Sequence, residues 1–325
     1  MRKLLLTTIF AASFAMGSAH AENQQLKMAT VAPSLSQAIV MSTFANLVSE
    51  NLDDITIEVA AGGAATVHAI EVGRGNLDLS MITPILYTLM QGGQRMYKSQ
   101  ADAPEVSRNV QLLTWFPGGP HHFAVRAESD ILTLDDLEGA STFMGPQGGG
   151  AYNTAVGWVE ATTGLQAGKD YNTIKATWQT GFQAFLDGKI DVYAVGCIDP
   201  CPQFIQFSET ENVRFLAPES VEGEAVTKFM GKYRAPEDIP TGIYKNQKNE
   251  TPIASQGTTY GIAVRSDIDE DTVYKMTKAF WDNVENITSD APWAQSLNVK
   301  DAALKLGDIT VHPGAARYYK EVGAM

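Results

Sequence analysis

Two segments of the chain repeat the same order of strand and helix patterns, and this repetition constrains the fold more than any other feature. The first segment has strand patterns at residues 26–31, 55–60 and 77–82, with helix patterns ending near Ser49 and Arg74 between them. The second has strand patterns at 140–144, 174–178 and 190–195, with helix patterns ending near Thr163 and Asp187. Apolar residues at i, i+4, i+7 and i+8 mark the first helix of each segment.

The junction between the second helix and the last strand is nearly the same in both segments. The two junctions read Gly75-Asn76-Leu77-Asp78-Leu79 and Gly188-Lys189-Ile190-Asp191-Val192. In each, glycine ends a helix, an apolar residue enters a strand and an aspartate follows. Two such βαβαβ units predict two open, largely parallel sheets, in which ligands bind beyond the carboxyl ends of the strands.

A further pair of segments connects the two units. Residues 122–131 and 260–268 both read A-V-R and then S-D-I, with two extra residues in the first copy. We expect one of these strands to lead out to a second lobe and the other to lead back; a chance similarity of two edge strands is the alternative. The predicted fold is therefore α/β, with two open mixed sheets joined by paired crossover strands and a ligand cleft between them. Lobe I would comprise residues 22–125 and 259–325, and lobe II residues 126–258.

The remaining segments are predicted less sharply. A helix is expected at 269–286, a short one at 302–306, and a last helical turn from Pro313 that returns to lobe I. Residues 199–256, which contain several prolines, are expected to form loops and short helices of lobe II.

The N-terminal residues have the pattern of a cleaved secretory signal peptide. Arg2 and Lys3 precede an apolar stretch, and Ala19-His20-Ala21 is an A-x-A cleavage signal, so residues 1–21 are predicted to be removed. Removal takes away two positive charges, and the net charge changes from −13 to −15. So acidic a chain is a poor candidate for nucleic-acid binding. An exported protein of this kind is expected in a periplasm.

Signatures of enzymes are absent from the sequence. It has no phosphate-binding P-loop, no G-x-S-x-G elbow and no H-E-x-x-H motif. His121 and His122 are neighbours in a strand pattern and should point to opposite faces, which makes them a poor metal site. Cys197 and Cys201 are close in sequence in an exported chain, which favours a disulfide; free structural thiols and a reactive thiol remain alternatives.

The loops that follow the strands are the best candidates for a ligand site. The glycine-rich loop 145–150 opens a helix, and the loops at 30–36 and 62–66 hold equivalent positions. Backbone N–H groups at helix N-termini suit carboxylates, and glycine lets a ligand approach the backbone.

The order of several motifs resembles a known family. The signal peptide, the bilobal pattern and the paired crossovers resemble a type II periplasmic solute-binding protein. More narrowly, the chain resembles the TAXI group of TRAP-transporter receptors. The motifs that carry this resemblance are Gly75-Asn76-Leu77-Asp78, Ala124-Val125-Arg126, Gly145-Pro146-Gln147-Gly148-Gly149-Gly150, Gly188-Lys189-Ile190-Asp191, Ile239-Pro240-Thr241-Gly242-Ile243-Tyr244 and His312-Pro313-Gly314-Ala315.

The resemblance implies a monomeric receptor that closes on a small organic anion, such as a dicarboxylate or acidic amino acid, and delivers it to a cation-coupled membrane permease. It implies no metal and no cofactor. The loop at 30–36 departs from the Gly- and Thr-rich pattern that is usual in the family. The ligand is therefore expected to differ from the family's commoner ligands. TAXI receptors lack the ligand-clamping arginine of the larger DctP-type group, so Arg126 and Arg265 are interpreted as crossover residues near a hinge.

The site residues expected from these considerations lie in loops of both lobes. They are Thr30, Ser34, Ser36, Gly63, Thr66, Thr83, His121, Gln147, Gly149, Gly150, Tyr152, Asn153, Gly196 and Cys197. Two other hypotheses are a periplasmic enzyme that uses Cys197 or His121, and a soluble sensor that signals to a membrane kinase.

Overall fold

The first half of the chain folds as the predicted strand–helix repeat. The structure, a computed structural model, describes residues 23–287 and 291–325, and the expected signal peptide lies outside them. Strand β1 lies between β2 and β3 and is parallel to both. The elements are β1 (Gln24–Ala29), α1 (Ser36–Asn51), β2 (Ile55–Ala60), α2 (Ala65–Gly73), β3 (Leu79–Ile82), α3 (Pro84–Gln91) and α4 (Ala103–Val106).

One long strand then connects the two halves. Strand β4 (Val110–Arg126) has 17 residues. Its first part, up to Pro120, pairs with the antiparallel strand β10 (Gln256–Arg265) of the first sheet. Its last part, from His121, pairs antiparallel with strands of the second half. The two predicted sheets therefore share β4. Of the ten strands in the described chain, eight form a single path of hydrogen-bonded neighbours, and the other two pair with members of that path, one with β4 and one with β10.

The second half repeats the first with shorter strands. Strand β7 lies between β5 and β4, parallel to the former and antiparallel to the latter. The elements are β5 (Ser141–Phe143), α5 (Gly150–Thr163), β6 (Asn172–Thr173), α6 (Trp178–Leu186), β7 (Val192–Gly196), α7 (Pro202–Ser208), β8 (Val213–Phe215), α8 (Glu224–Met230) and β9 (Arg234–Pro236).

The prediction of a strand at residues 174–178 is wrong. The strand here is the two-residue β6, and Trp178 already begins α6. The cause is a cap: the Thr177 hydroxyl accepts a hydrogen bond from the backbone N–H of Thr180 at 3.2 Å, which starts the helix earlier.

The two matching junctions make matching hydrogen bonds. The Asp78 carboxylate accepts a hydrogen bond from the backbone N–H of Lys27 in β1 at 2.7 Å. The Asp191 carboxylate accepts one from the backbone N–H of Ser141 in β5 at 2.8 Å. Each aspartate therefore fastens the last strand of its repeat to the first strand, which explains why the same residue stands at both places.

The C-terminal segment packs against elements of the first half of the chain. Helix α9 (Glu270–Trp281) packs on α1, where the rings of Phe44 and Phe280 lie 5.4 Å apart. Helix α10 (Pro313–Glu321) follows, and its Tyr319 hydroxyl donates to the carbonyl of Leu113 in β4 at 2.8 Å. The short helix expected at 302–306 is absent from the described chain, which forms hydrogen-bonded turns there.

No helix within residues 23–287 and 291–325 combines the length and the apolar character needed to cross a membrane.

Replacement of Asp78 by alanine should lower the free energy of unfolding by about 1–3 kcal/mol, because the Lys27 N–H then loses its acceptor. Asp78 also pairs with Arg265, and its side chain is 13% exposed. Urea unfolding followed by circular dichroism measures the loss. The control is Asp53→Ala, where an exposed side chain makes no hydrogen bond within the described residues and should change stability by less than about 0.5 kcal/mol. Equal losses in the two variants would contradict this role.

Candidate binding cleft

A cavity of about 820 Å³ lies between the two lobes. The helices α2, α3 and α5 all begin at its wall, so their unpaired backbone N–H groups border it. Both parts of the path that connects the lobes, β4 and β10, also contribute residues. Eight of the predicted site residues line this cavity: Gly63, Thr66, Thr83, His121, Gly149, Gly150, Asn153 and Gly196.

The other six predicted site residues do not line it. Thr30 is buried, and Ser34 and Gln147 are exposed outside it. Gln147 donates to the Thr173 hydroxyl at 3.1 Å, and the Tyr152 hydroxyl lies 3.4 Å from the same oxygen. The last two, Ser36 and Cys197, are buried in other contacts. The position of a residue in a loop did not reveal whether its side chain faces the cavity.

Ser36 instead takes part in a direct contact between the lobes. Its hydroxyl accepts a hydrogen bond from the backbone N–H of Ile198 at 3.0 Å. The next residue, Gln37, donates from its side-chain amide to the carbonyl of Gly196 at 3.0 Å. The first turn of α1 therefore holds the end of β7 and the loop that follows it.

Cys197 and Cys201 form a disulfide within that loop, as predicted, and the described chain has no free cysteine. A buried polar network adjoins it. His122 places its two ring nitrogens 3.0 Å from the carbonyl of Pro120 and 2.8 Å from the carboxylate of Asp199. The Tyr244 hydroxyl donates to the same carboxylate and accepts from the backbone N–H of Cys201. His122 thus belongs to the core, while His121 faces the cavity.

His121 is buried yet lacks a polar partner. Its side chain is 5% exposed, and neither ring nitrogen makes a hydrogen bond within the described residues. Burial, together with the neighbouring His122 and Arg234, lowers its pKa to about 3. The imidazole is therefore neutral at physiological pH and can act as a hydrogen-bond donor or acceptor.

Three basic side chains that the sequence did not single out line the same cavity. They are Arg95, Lys228 and Arg234, and none of them pairs with an acid within the described residues. Arg234 is the most enclosed: it donates to the carbonyl of Phe229 at 2.8 Å and stacks 4.2 Å from the centre of that ring. Burial lowers the pKa of Arg234. It stays charged nonetheless. One acid, Glu160, also lines the described cavity wall.

Strand β9 carries Arg234 to the cleft. Thr258 of β10 pairs with Arg234, and Gln256 pairs with Pro236. The segment lies within the proline-rich stretch 199–256, where no periodicity indicated a strand. No sequence signal would have placed this arginine in the site.

Much of the cavity wall is apolar. Both lobes contribute. The apolar side chains are Val31, Leu35, Met81, Ile85, Leu86, Leu89, Met96, Val156, Trp178 and Phe229. A ligand that fills this space has an apolar surface of its own.

The structure places Arg126 and Arg265 away from the crossover. Arg265 pairs with Val110 at the outer end of β4, and its guanidinium donates to the carbonyl of Gly75. Arg126 donates to the carbonyls of Phe185 and Leu186 at the end of α6. Both lie at the edge of the sheet opposite the cleft, so the expected position near a hinge is wrong. Their shared A-V-R context reflects equivalent edges of two similar sheets.

The fold and the interlobe cavity define a class of protein: this is the two-lobed α/β fold of the periplasmic solute-binding proteins. The family model that matches the chain covers residues 28–323, and the chain belongs to the NMT1-like family.

Solved structures share the fold at low sequence identity. A protein of Bordetella bronchiseptica RB50 matches with a TM-score of 0.51 and 14% identity over 92% of this chain and 81% of that one. A TRAP periplasmic solute-binding protein from Ralstonia eutropha H16, with bound (S)-2-acetolactate, matches with a TM-score of 0.48 and 14% identity over 92% and 84% of the two chains. The alkanesulfonate-binding protein SsuA from Xanthomonas axonopodis pv. citri, bound to MOPS, matches with a TM-score of 0.48 and 15% identity over 85% of this chain and 83% of that one.

The neutral state of His121 can be tested by its titration. Its imidazole proton resonance should not shift between about pH 8 and pH 5, because its folded pKa is about 3. In the unfolded chain the group binds a proton near pH 6.5, so the folded state loses stability as the pH falls below that value. The variant His121→Gln should therefore show a flatter fall in unfolding free energy over this range. A His121 titration midpoint near 6.5 would contradict the prediction.

Proposed function

We propose that the chain is a periplasmic receptor that captures a small organic anion between its two lobes. The observation that carries this proposal is the set of three basic side chains, Arg95, Lys228 and Arg234, that line the interlobe cavity without an acidic partner. Arg234 is half-buried, and an anion bound beside it supplies the counter-charge that a partly desolvated cation lacks. Arg95 and Lys228 are exposed and add positive charge to the same wall. The helix N-termini at the same wall favour the same ligand charge.

We further propose a TRAP-type secondary transporter as the partner, on the basis of the resemblance to the TAXI group. The receptor would be exported by its N-terminal signal peptide, act as a monomer and need no cofactor. The sheet topology supports a division at the crossover close to the expected one, with lobe II running from about residue 126 to 258.

The rival enzyme hypothesis has little support in the site. Cys197 is held in a disulfide and is not a free nucleophile. His121 has no hydrogen-bonded acid or base that would activate it within the described residues. Both residues that the hypothesis relies on therefore lack the chemistry it requires.

The variant Arg234→Gln should weaken binding of carboxylates by about 10-fold or more, because it removes a charge-assisted hydrogen bond in a partly buried site. Isothermal titration calorimetry with carboxylates selected by thermal shift measures the effect. Arg108→Gln removes the same charge from an exposed position outside the cleft and serves as the control. If the Arg234 variant binds as tightly as the wild type, the proposed anion site is wrong. If no carboxylate, sulfonate or amino acid shifts the melting temperature, the proposed receptor function fails.

The proposed partner predicts how transport is driven. Uptake of the identified ligand into vesicles that contain the cognate permease should require this protein and a cation gradient, with no need for ATP. Uptake that follows ATP hydrolysis and ignores the gradient would assign the receptor to another class of transporter.

A further inference from the structure

Three polar side chains that meet at the inner end of the cleft have no hydrogen-bond partner within the described residues. They are His121, Gln256 and Tyr260, and all three line the cavity. His121 and Gln256 are 5% and 1% exposed, and one nitrogen of the first and the amide oxygen of the second are fully enclosed. Buried polar groups in proteins are almost always paired. This cluster, the cleft floor, is therefore built for a partner from outside the chain.

Strand pairing and one glycine determine the relative positions of these side chains. Gly257 pairs with Pro120, so Gln256 in β10 lies beside His121 in β4. Gly196, opposite His121 in β7, leaves an opening between two of them. A methyl group added to Gly196 would lie 3.2 Å from Nδ1 of His121 and 3.6 Å from the hydroxyl of Tyr260. Both polar atoms thus face the same small space.

The side chains of the cleft floor are uncharged, and the guanidinium of Arg234 lies close to them. Burial lowers the pKa of His121 to about 3 and raises the pKa of Tyr260 to about 12, so both groups are neutral. Arg234 is close enough to influence both pKa values. No carboxylate belongs to the cleft floor: Glu160, which lines the cavity, is carried by α5 and not by the strands β4, β7 or β10.

We propose that the cleft floor recognises an uncharged polar group, a hydroxyl or an oxo group, that the anionic ligand carries close to its acid group. This inference rests on the proposed receptor function and narrows its ligand class to hydroxy- and oxo-carboxylates with an apolar body. A hydroxyl accepts from an imidazole or phenol and donates to an amide oxygen, so one ligand group serves several floor atoms. Arg234 pairs with the acid, and the apolar walls surround the remainder of the ligand.

The same arrangement disfavours amino acids. An ammonium group needs acceptors that carry negative charge or several oxygens, and it is repelled by a nearby guanidinium. The cleft floor offers neutral groups next to Arg234 instead. The proposal therefore separates hydroxy and oxo acids from the acidic amino acids that the resemblance also allowed.

Calorimetric titration with matched acids tests the proposal. The probe sets are malate, succinate and aspartate; 2-hydroxy-4-methylpentanoate, 2-oxo-4-methylpentanoate, 4-methylpentanoate and leucine; and 3-phenyllactate, 3-phenylpropanoate and phenylalanine. Within the set that fits the cavity, the hydroxy or oxo acid should bind about 10-fold or more tightly than its unsubstituted and amino counterparts, because those leave floor atoms unpaired.

Three variants should remove this preference. Tyr260→Phe and Gln256→Leu delete floor groups, and Gly196→Ala fills the space between them. Each should reduce the preference to within about 3-fold. Arg234→Gln should instead weaken every acid of the set alike. Tyr274→Phe, which removes a hydroxyl bonded to Glu321 on the far surface, should keep the full preference.

The outcomes distinguish this proposal from the receptor function on which it rests. Binding of unsubstituted or amino acids as tight as that of the hydroxy and oxo acids would overturn the proposal while the receptor function stands. A preference that survives all three floor variants would also overturn it, because the selectivity would then arise from other residues. Absence of binding by every carboxylate and sulfonate would overturn both.

Discussion

The architecture depends on the continuity of strand β4 through two sheets. Its 17 residues pair first with β10 and then with β7 and β8, so the same backbone belongs to both lobes. The change of partner falls directly after Pro117-Gly118-Gly119-Pro120. Gly119 has a φ of +74°, and any Cβ there would overlap the carbonyl of Cys197. A side chain at this point would push the lobes apart, and the cleft would lose its floor.

Charge in this protein matters locally rather than in total. The chain is strongly acidic, and several of its basic side chains form ion pairs with acids. Arg74 pairs with Asp102, Lys275 with Asp54 and Arg317 with Asp271. In the cleft the balance is reversed, since Arg95, Lys228 and Arg234 face the cavity without acids of their own. An enclosed cation acts over short range in a medium that screens it weakly, so the net charge of the surface does not decide the ligand.

Sequence patterns predicted the parts of this fold that local interactions specify. Helix periodicity, the Gly–x–apolar–Asp junctions and the spacing of the two cysteines each report on contacts close in sequence or repeated in it. Strand β9 could not be predicted, because a segment of three residues is too short to show a periodic pattern. Its strand conformation depends on the pairing with β10. Arg234 and Gln256 reach the cleft only through that long-range pairing, and so escaped the sequence analysis. Six of the fourteen predicted site residues do not line the cavity, and Thr83, which does, also caps α3.

The contact between the lobes and the cleft floor use different kinds of atoms. Where α1 meets lobe II, the second lobe offers only main-chain groups, the carbonyl of Gly196 and the N–H of Ile198. Every residue type except proline provides both groups, so most substitutions at that strand end preserve the hydrogen bonds by which the lobes meet. The groups that we propose for ligand choice, by contrast, are side chains of β4, β9 and β10. A few replacements there would change the chemistry of the cleft floor and leave the contact between the lobes intact.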